Sequence, residues 1–232
     1  ADSLRFTLSS MSSQGRDIKL SDKIVENNRR FITKLWNVAR FSQLNKFVLK
    51  EDFNIDTMKL SINKWICRRF YDAQEMVIKD INNYNFNLAS KNIYQFVWGD
   101  FCDLYIEFIK PYLNDKSYFS EISNAFSLIF KKILILINPF IPFVTDEISV
   151  RLGYSDVYDL SLKKINRKEG ILNNEDYQSI NNLKDFIYNF RQIKKNNNLN
   201  FRSLFIIGKK IPKWIQNNEI IIQSILKVDK IT

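Results

Sequence analysis

The sequence has no histidine, two cysteines, four prolines and five glycines among 232 residues. Without histidine the chain lacks the commonest general base, proton shuttle and zinc ligand together. Cys67 and Cys102 are far apart and neither belongs to a Cys-x-x-Cys pair, so no metal or redox motif is present. Unpaired thiols in apolar stretches fit a reducing compartment, and a cytoplasmic location is expected. Scarce glycine and proline argue against an all-β fold with many tight turns and for long helices. The longest apolar run, Ile133 to Ile137, follows Lys131 and Lys132 and is far too short to span a bilayer. No signal peptide is recognisable, and no membrane partner is expected. Gly-rich phosphate loops and Gly-x-Ser-x-Gly are missing too. No catalytic residue, metal ligand or cofactor is therefore assigned to this chain. Glu26, Asp146 and Glu147 read as solvated or capping carboxylates, and Asp17 as a structural partner for a nearby cation.

What is present is positive charge. The net charge is +10 and the pI about 9.5, a balance that favours a polyanionic partner such as RNA. Isoleucine and asparagine make up about a quarter of the chain, a bias that A/T-rich coding would produce while also raising lysine. Hydrophobic residues reach 45%, enough for a real core.

Periodicity predicts a short helix over residues 1–13, ended by Gly15, and a long helix from Asp22 to about Asn45 capped by Ser21 or Asp22. The run beginning at Leu4 starts so near Ala1 that a preceding part of a longer polypeptide is expected. Further helices are predicted over 58–84, 88–109 and 118–137, then a short one to Leu152 after the rigid Phe140-Ile141-Pro142-Phe143 turn. Four long helices with short polar links read as an up-down bundle. After Gly153 the pattern changes. A strand is expected near Leu160–Ile165, a helix over 175–195 broken at Asn196-Asn197-Asn198, a strand from Phe201 to Ile207, and one last helix over 211–228. The expected division is a connector over 1–20, a helical bundle over 21–152 and a small α+β appendage over 153–232. Trp36, Trp65 and Trp98 read as packing anchors.

The helix from Asp22 carries the chemistry. At about 100° per residue, Ile24, Phe31, Leu35, Val38 and Ala39 share an apolar arc, extended by Val25 and Ile32. Lys23, Arg30, Lys34 and Phe41 follow at spacings of seven, four and seven, within roughly 40° of one another and outside that arc. Three cations and a ring that the core does not obviously claim suit a nucleic-acid loop: charge for phosphate, a flat face for an unstacked base. A solvated face is the plain alternative for the cations, and contact with a following loop is the alternative for Phe41. Arg29 and Arg40 lie about 100° around and widen the basic surface, which Asp22 and Glu26 partly offset.

These residues also resemble a known family. Arg29-Arg30-Phe31-Ile32-Thr33-Lys34-Leu35-Trp36-Asn37-Val38-Ala39-Arg40-Phe41 resembles the Arg-Asn-Phe-x-Asn-Lys-Leu-Trp-Asn-x-x-Arg-Phe signature that opens the anticodon-binding domain of class I aminoacyl-tRNA synthetases. Ala1-Asp2-Ser3-Leu4-Arg5-Phe6 and Gly15-Arg16-Asp17-Ile18 look like the connector from the catalytic core. Asn63-Lys64-Trp65-Ile66 is similar to Asp-Arg-Trp-Ile/Leu. Phe96-Val97-Trp98, Phe101-Cys102-Asp103-Leu104-Tyr105-Ile106-Glu107 and Lys110-Pro111 look like the valyl enzymes' Phe-x-Trp, Phe-Cys-Asp-Trp-Tyr-x-Glu and Lys-Pro. Asn138-Pro139-Phe140-Ile141-Pro142-Phe143-Val144-Thr145-Asp146-Glu147 looks like His-Pro-Phe-x-Pro-Phe-x-Thr-Glu-Glu, and Arg191-Gln192-Ile193 resembles part of the helix that follows. Arg30, Thr33, Asn138 and Leu104 depart from the pattern.

The resemblance implies a mainly α, class I synthetase anticodon-binding helical bundle with a small α+β C-terminal appendage. It implies that Lys23, Lys34, Arg40 and Phe41 meet the tRNA anticodon loop. Arg30 joins them on spacing alone, and Arg40 on the resemblance alone. The implied partners are tRNA, tRNA-Val in particular, and the catalytic core of the same polypeptide, in a monomer. The His-Ile-Gly-His and Lys-Met-Ser-Lys-Ser signatures are missing from these residues, so ATP and Mg would be used by the parent enzyme and not by this chain. Isoleucyl and leucyl relatives, and a basic helical module that binds RNA or a membrane, are the alternatives.

Overall fold

A computed structural model of the chain describes residues 1–12, 17, 19–155, 160, 174–196, 203–204 and 211–231. The helices predicted before Gly153 are present: α1 (Asp2–Met11), α2 (Asp22–Leu44), α3 (Ser61–Asn82), α4 (Phe86–Tyr94), α5 (Ile106–Ile109), α6 (Lys116–Ile137) and α7 (Pro142–Arg151), with α4 and α5 in place of the single helix expected over 88–109. Between α4 and α5 the chain stays helical but widens into a π-helical segment over Gln95–Tyr105, and a 3₁₀ turn through Pro111 ends the run at Tyr112. Gly15 and most of the two predicted strands, at 160–165 and 201–207, lie outside the described residues. Ser203–Leu204 does pair in parallel with Lys230–Ile231. The last predicted helix is two helices, α9 (Lys213–Asn217) and α10 (Glu219–Leu226), which meet at Asn218. The Asn218 amide turns back to donate to the Trp214 carbonyl at 2.7 Å and to Ser179 Oγ at 3.3 Å on α8 (Asn174–Asn196). A side chain that prefers such local bonds interrupts the helix there.

Helix α6 is the centre of the core. Ile122, Phe126, Ile129, Phe130, Ile133 and Ile137 are fully buried, and the helix starts at Asp115, whose carboxylate accepts from the Ser117 amide at 2.9 Å. Phe126 gathers the rings of Phe41, Phe47, Phe101, Tyr105 and Phe130 at centroid separations of 4.9–6.5 Å. The connection from α2 to α3 is fastened to α6 by polar side chains. Val48 and Lys50 donate their amides to Ser123 and Asn124. Glu121 accepts from the Lys59 and Leu60 amides, both at 2.9 Å, and from Asn63 at 2.8 Å. At the other end, Asp2 caps α7 by accepting from the Val144 amide at 2.7 Å. Helix α8 docks on α3 through Asp176, which accepts from Ser61 and Lys64, and through Asn181, which accepts from the buried Trp65 indole.

Glycine scarcity leaves a mark on the helix ends. Lys46, Tyr84, Gly153 and Lys227 take left-handed φ of +54°, +57°, +67° and +56° after α2, α3, α7 and α10. In each case the next amide bonds back five residues, as in Phe47 to Ser42 and Tyr154 to Ser149. This closure normally uses glycine, and three of the four positions here carry a side chain.

Candidate nucleic-acid interface

The predicted arc of α2 is buried at Phe31, Leu35, Val38 and Ala39, which turns the basic stripe outward. Lys23, Arg30 and Arg40 are exposed and form no ion pair among the described residues. Arg29, off the stripe, faces Glu26 at 3.6 Å. Trp36 packs as expected, half-buried with the Arg151 guanidinium 5.1 Å from its ring.

Phe41 differs from the expectation of an unclaimed ring. It is half-buried, edge-to-face with Phe47 at 5.8 Å and tilted against Phe126 at 5.9 Å. The cause is the turn after α2: Lys46 in the left-handed region sends the chain back, so Phe47 lies on α6 beneath Phe41. The loop-contact alternative therefore holds. Part of the ring nevertheless reaches a surface groove of about 270 Å³. Lys34, Asn37, Val38 and Phe41 form its α2 wall, and Cys102, Ile106, Glu107 and Lys110 the facing wall. The structure thus brings Lys34 and Phe41 to one groove and leaves Lys23, Arg30 and Arg40 outside it.

Lys34 is held. Its Nζ donates to Asp103 Oδ1 at 2.7 Å and lies 4.8 Å from the centroid of the Trp98 ring. Trp98 stacks on Tyr94 at 5.4 Å with 14° between planes, and Tyr94 rests on Phe31 at 5.3 Å. The opposite wall has a second pair, Lys110 with Glu107. Burial pushes the Cys102 thiol up to about 12, against the pull of neighbouring Lys34, so it is an inert wall. Burial likewise raises Cys67 to about 12.

The partners of Lys34 escaped the sequence reading for a geometric reason. On an α-helix Trp98 and Asp103 would stand about 140° apart. The π-helical segment bonds residues five apart, as the Ile106 amide does to Phe101, and so brings both to one side. Arg69 secures this segment from α3 with Nε and Nη2 at 2.9 and 2.7 Å from the buried Asp100 carboxylate. Among the described residues, no group of three His, Cys, Asp or Glu could hold a metal ion, and no helix is long and apolar enough to cross a membrane.

Comparison with known proteins identifies the family. Residues 63–207 match the family model described as the anticodon-binding domain of tRNA ligase. The valine–tRNA ligase of Rhizorhabdus wittichii is 41% identical over 170 residues, covering 71% of this chain and 18% of that protein. That of Pelagibacter ubique is 33% identical over 238 aligned residues, covering 98% of this chain, α2 included, and 27% of that protein. That of Brucella suis is 41% identical over 150 residues, covering 64% of this chain and 16% of that protein. The chain spans between about a sixth and about a quarter of the length of these curated relatives. With a family model matching well over half its length, the chain belongs to the anticodon-binding domain family of tRNA ligases.

Proposed function

We propose that this chain is the tRNA anticodon-recognition part of a valine–tRNA ligase. The observation that carries the reading is the similarity to a valine–tRNA ligase along 98% of the chain, including the helix with the basic stripe. Phe41 offers its groove-facing surface to a splayed base, Lys34 donates beside it, and Lys23, Arg30 and Arg40 meet the backbone phosphates around them. The parent polypeptide carries the catalytic core, uses ATP and Mg to join valine to tRNA-Val, and acts as a monomer in the cytosol. Two unpaired buried cysteines support that compartment.

The test is a binding titration with stem-loop RNAs that carry a valine, an isoleucine or a leucine anticodon on one stem. The expected result is tightest binding to the valine loop, weakening with salt as counterions are released. Preference for the isoleucine or leucine loop would reassign the parent enzyme. Equal binding to all three, or binding to anionic vesicles without RNA preference, would refute the reading.

A further inference from the structure

Both lysines that line the groove are matched by a carboxylate, whereas Lys23, Arg30 and Arg40 outside it form no ion pair among the described residues. Lys34 is paired with Asp103, and Lys110 with Glu107, one turn further along the same wall. Lys23, Arg30 and Arg40 stand exposed outside. A groove with balanced charge attracts phosphate weakly, because the Asp103 carboxylate 2.7 Å from the Lys34 ammonium offsets its field. It does not repel a neutral ring. The Lys34 ammonium has three N–H donors, and Asp103 accepts from one. Trp98, steadied by its stack on Tyr94, limits where the ammonium sits.

We propose that Asp103 is a specificity-determining positioning residue. It cancels the charge of Lys34 and fixes its ammonium, so that Lys34 donates to the acceptor edge of a nucleobase and not to phosphate. Phosphate contacts orient an RNA without reading its sequence, whereas base-edge contacts read it. The Lys34–Asp103 pair thereby separates the two tasks on one helix face: base reading inside the groove, charge outside. This inference rests on the anticodon-loop reading above and adds what decides the use of Lys34. The pair is exposed enough, at 33% and 47% for the two side chains, that removing it leaves the fold standing.

The experiment uses the 232-residue chain with valine and swapped-anticodon stem-loop RNAs, titrated over a salt series, for wild type, Asp103→Asn and Asp103→Asn/Lys34→Gln. Freed by Asp103→Asn, Lys34 becomes a phosphate ligand. Affinity for both RNAs rises at low salt, the log–log salt slope steepens by about 0.7, and the preference for the valine loop falls on the order of fivefold. Adding Lys34→Gln returns the slope to the wild-type value. A merely structural Asp103 would lower binding to both RNAs without moving the slope, and that result overturns the proposal. So does an unchanged slope with unchanged preference, or a steeper slope that survives Lys34→Gln. Wild-type protein that fails to discriminate between the loops refutes the anticodon-loop reading itself and the inference with it, whereas discrimination untouched by Asp103→Asn refutes the inference alone.

Discussion

Phe41 has two roles to separate, because it packs inward and faces the groove. Replacing it with alanine removes two ring contacts, at 5.8 Å to Phe47 and 5.9 Å to Phe126. Such pairs contribute about 0.5–1.5 kcal/mol each beyond area burial. With the apolar surface of a half-buried ring added, Phe41→Ala should lower unfolding free energy by about 2–4 kcal/mol. Loss of a stacked base should separately weaken RNA binding by about 1–3 kcal/mol, roughly 5- to 150-fold in Kd. Phe41→Leu divides the two. It keeps most of the volume and should cost less than about 1.5 kcal/mol of stability, yet it has no flat face and should weaken binding roughly tenfold. Urea denaturation measures the first quantity, and fluorescence anisotropy with the valine stem-loop measures the second, under conditions where each variant is folded. If Phe41→Leu and Phe41→Ala both bind within twofold of wild type, Phe41 is a packing residue only and the stacking role is wrong.

Three further outcomes are expected. Glu121→Ala leaves the Lys59 and Leu60 amides and the Asn63 amide without their acceptor, and urea titration should show a loss of about 3 kcal/mol, with Glu121→Gln losing less. Lys227→Gly relieves a side chain in the left-handed region at the end of α10 and should raise stability by up to about 1 kcal/mol, seen as a higher thermal midpoint; a lower midpoint would refute the strain argument. Burial raises the Asp176 carboxyl, but bonds from Lys64 and Ser61 more than offset this and hold its pKa below the ordinary carboxylate value. The stability it contributes is therefore complete above the unfolded-state pKa near 4 and is lost as pH falls through the lower folded-state value. Acid titration of wild type against Asp176→Asn should show that component disappearing in the variant, and parallel curves would refute it.

Periodicity alone placed α2, α3 and α6, because a 3.6-residue repeat of large apolar side chains has one favourable solution when a core is available. It also put Lys23 and Arg30 outside that core, which local helix geometry settles. Two features depended on the rest of the chain. Phe41 lies off the apolar arc, yet a left-handed Lys46 folds Phe47 beneath it, a contact no helical wheel contains. Trp98 and Asp103 are on different sides of an α-helix and on one side of the π-helical segment, where both reach Lys34 on another helix. Local propensity acts within a turn or two, so the sequence by itself determined where the long helices α2, α3 and α6 form and which of their faces are apolar. Only the packing of those elements against one another decided that one basic side chain of the stripe is neutralised in a groove while its neighbours stay exposed.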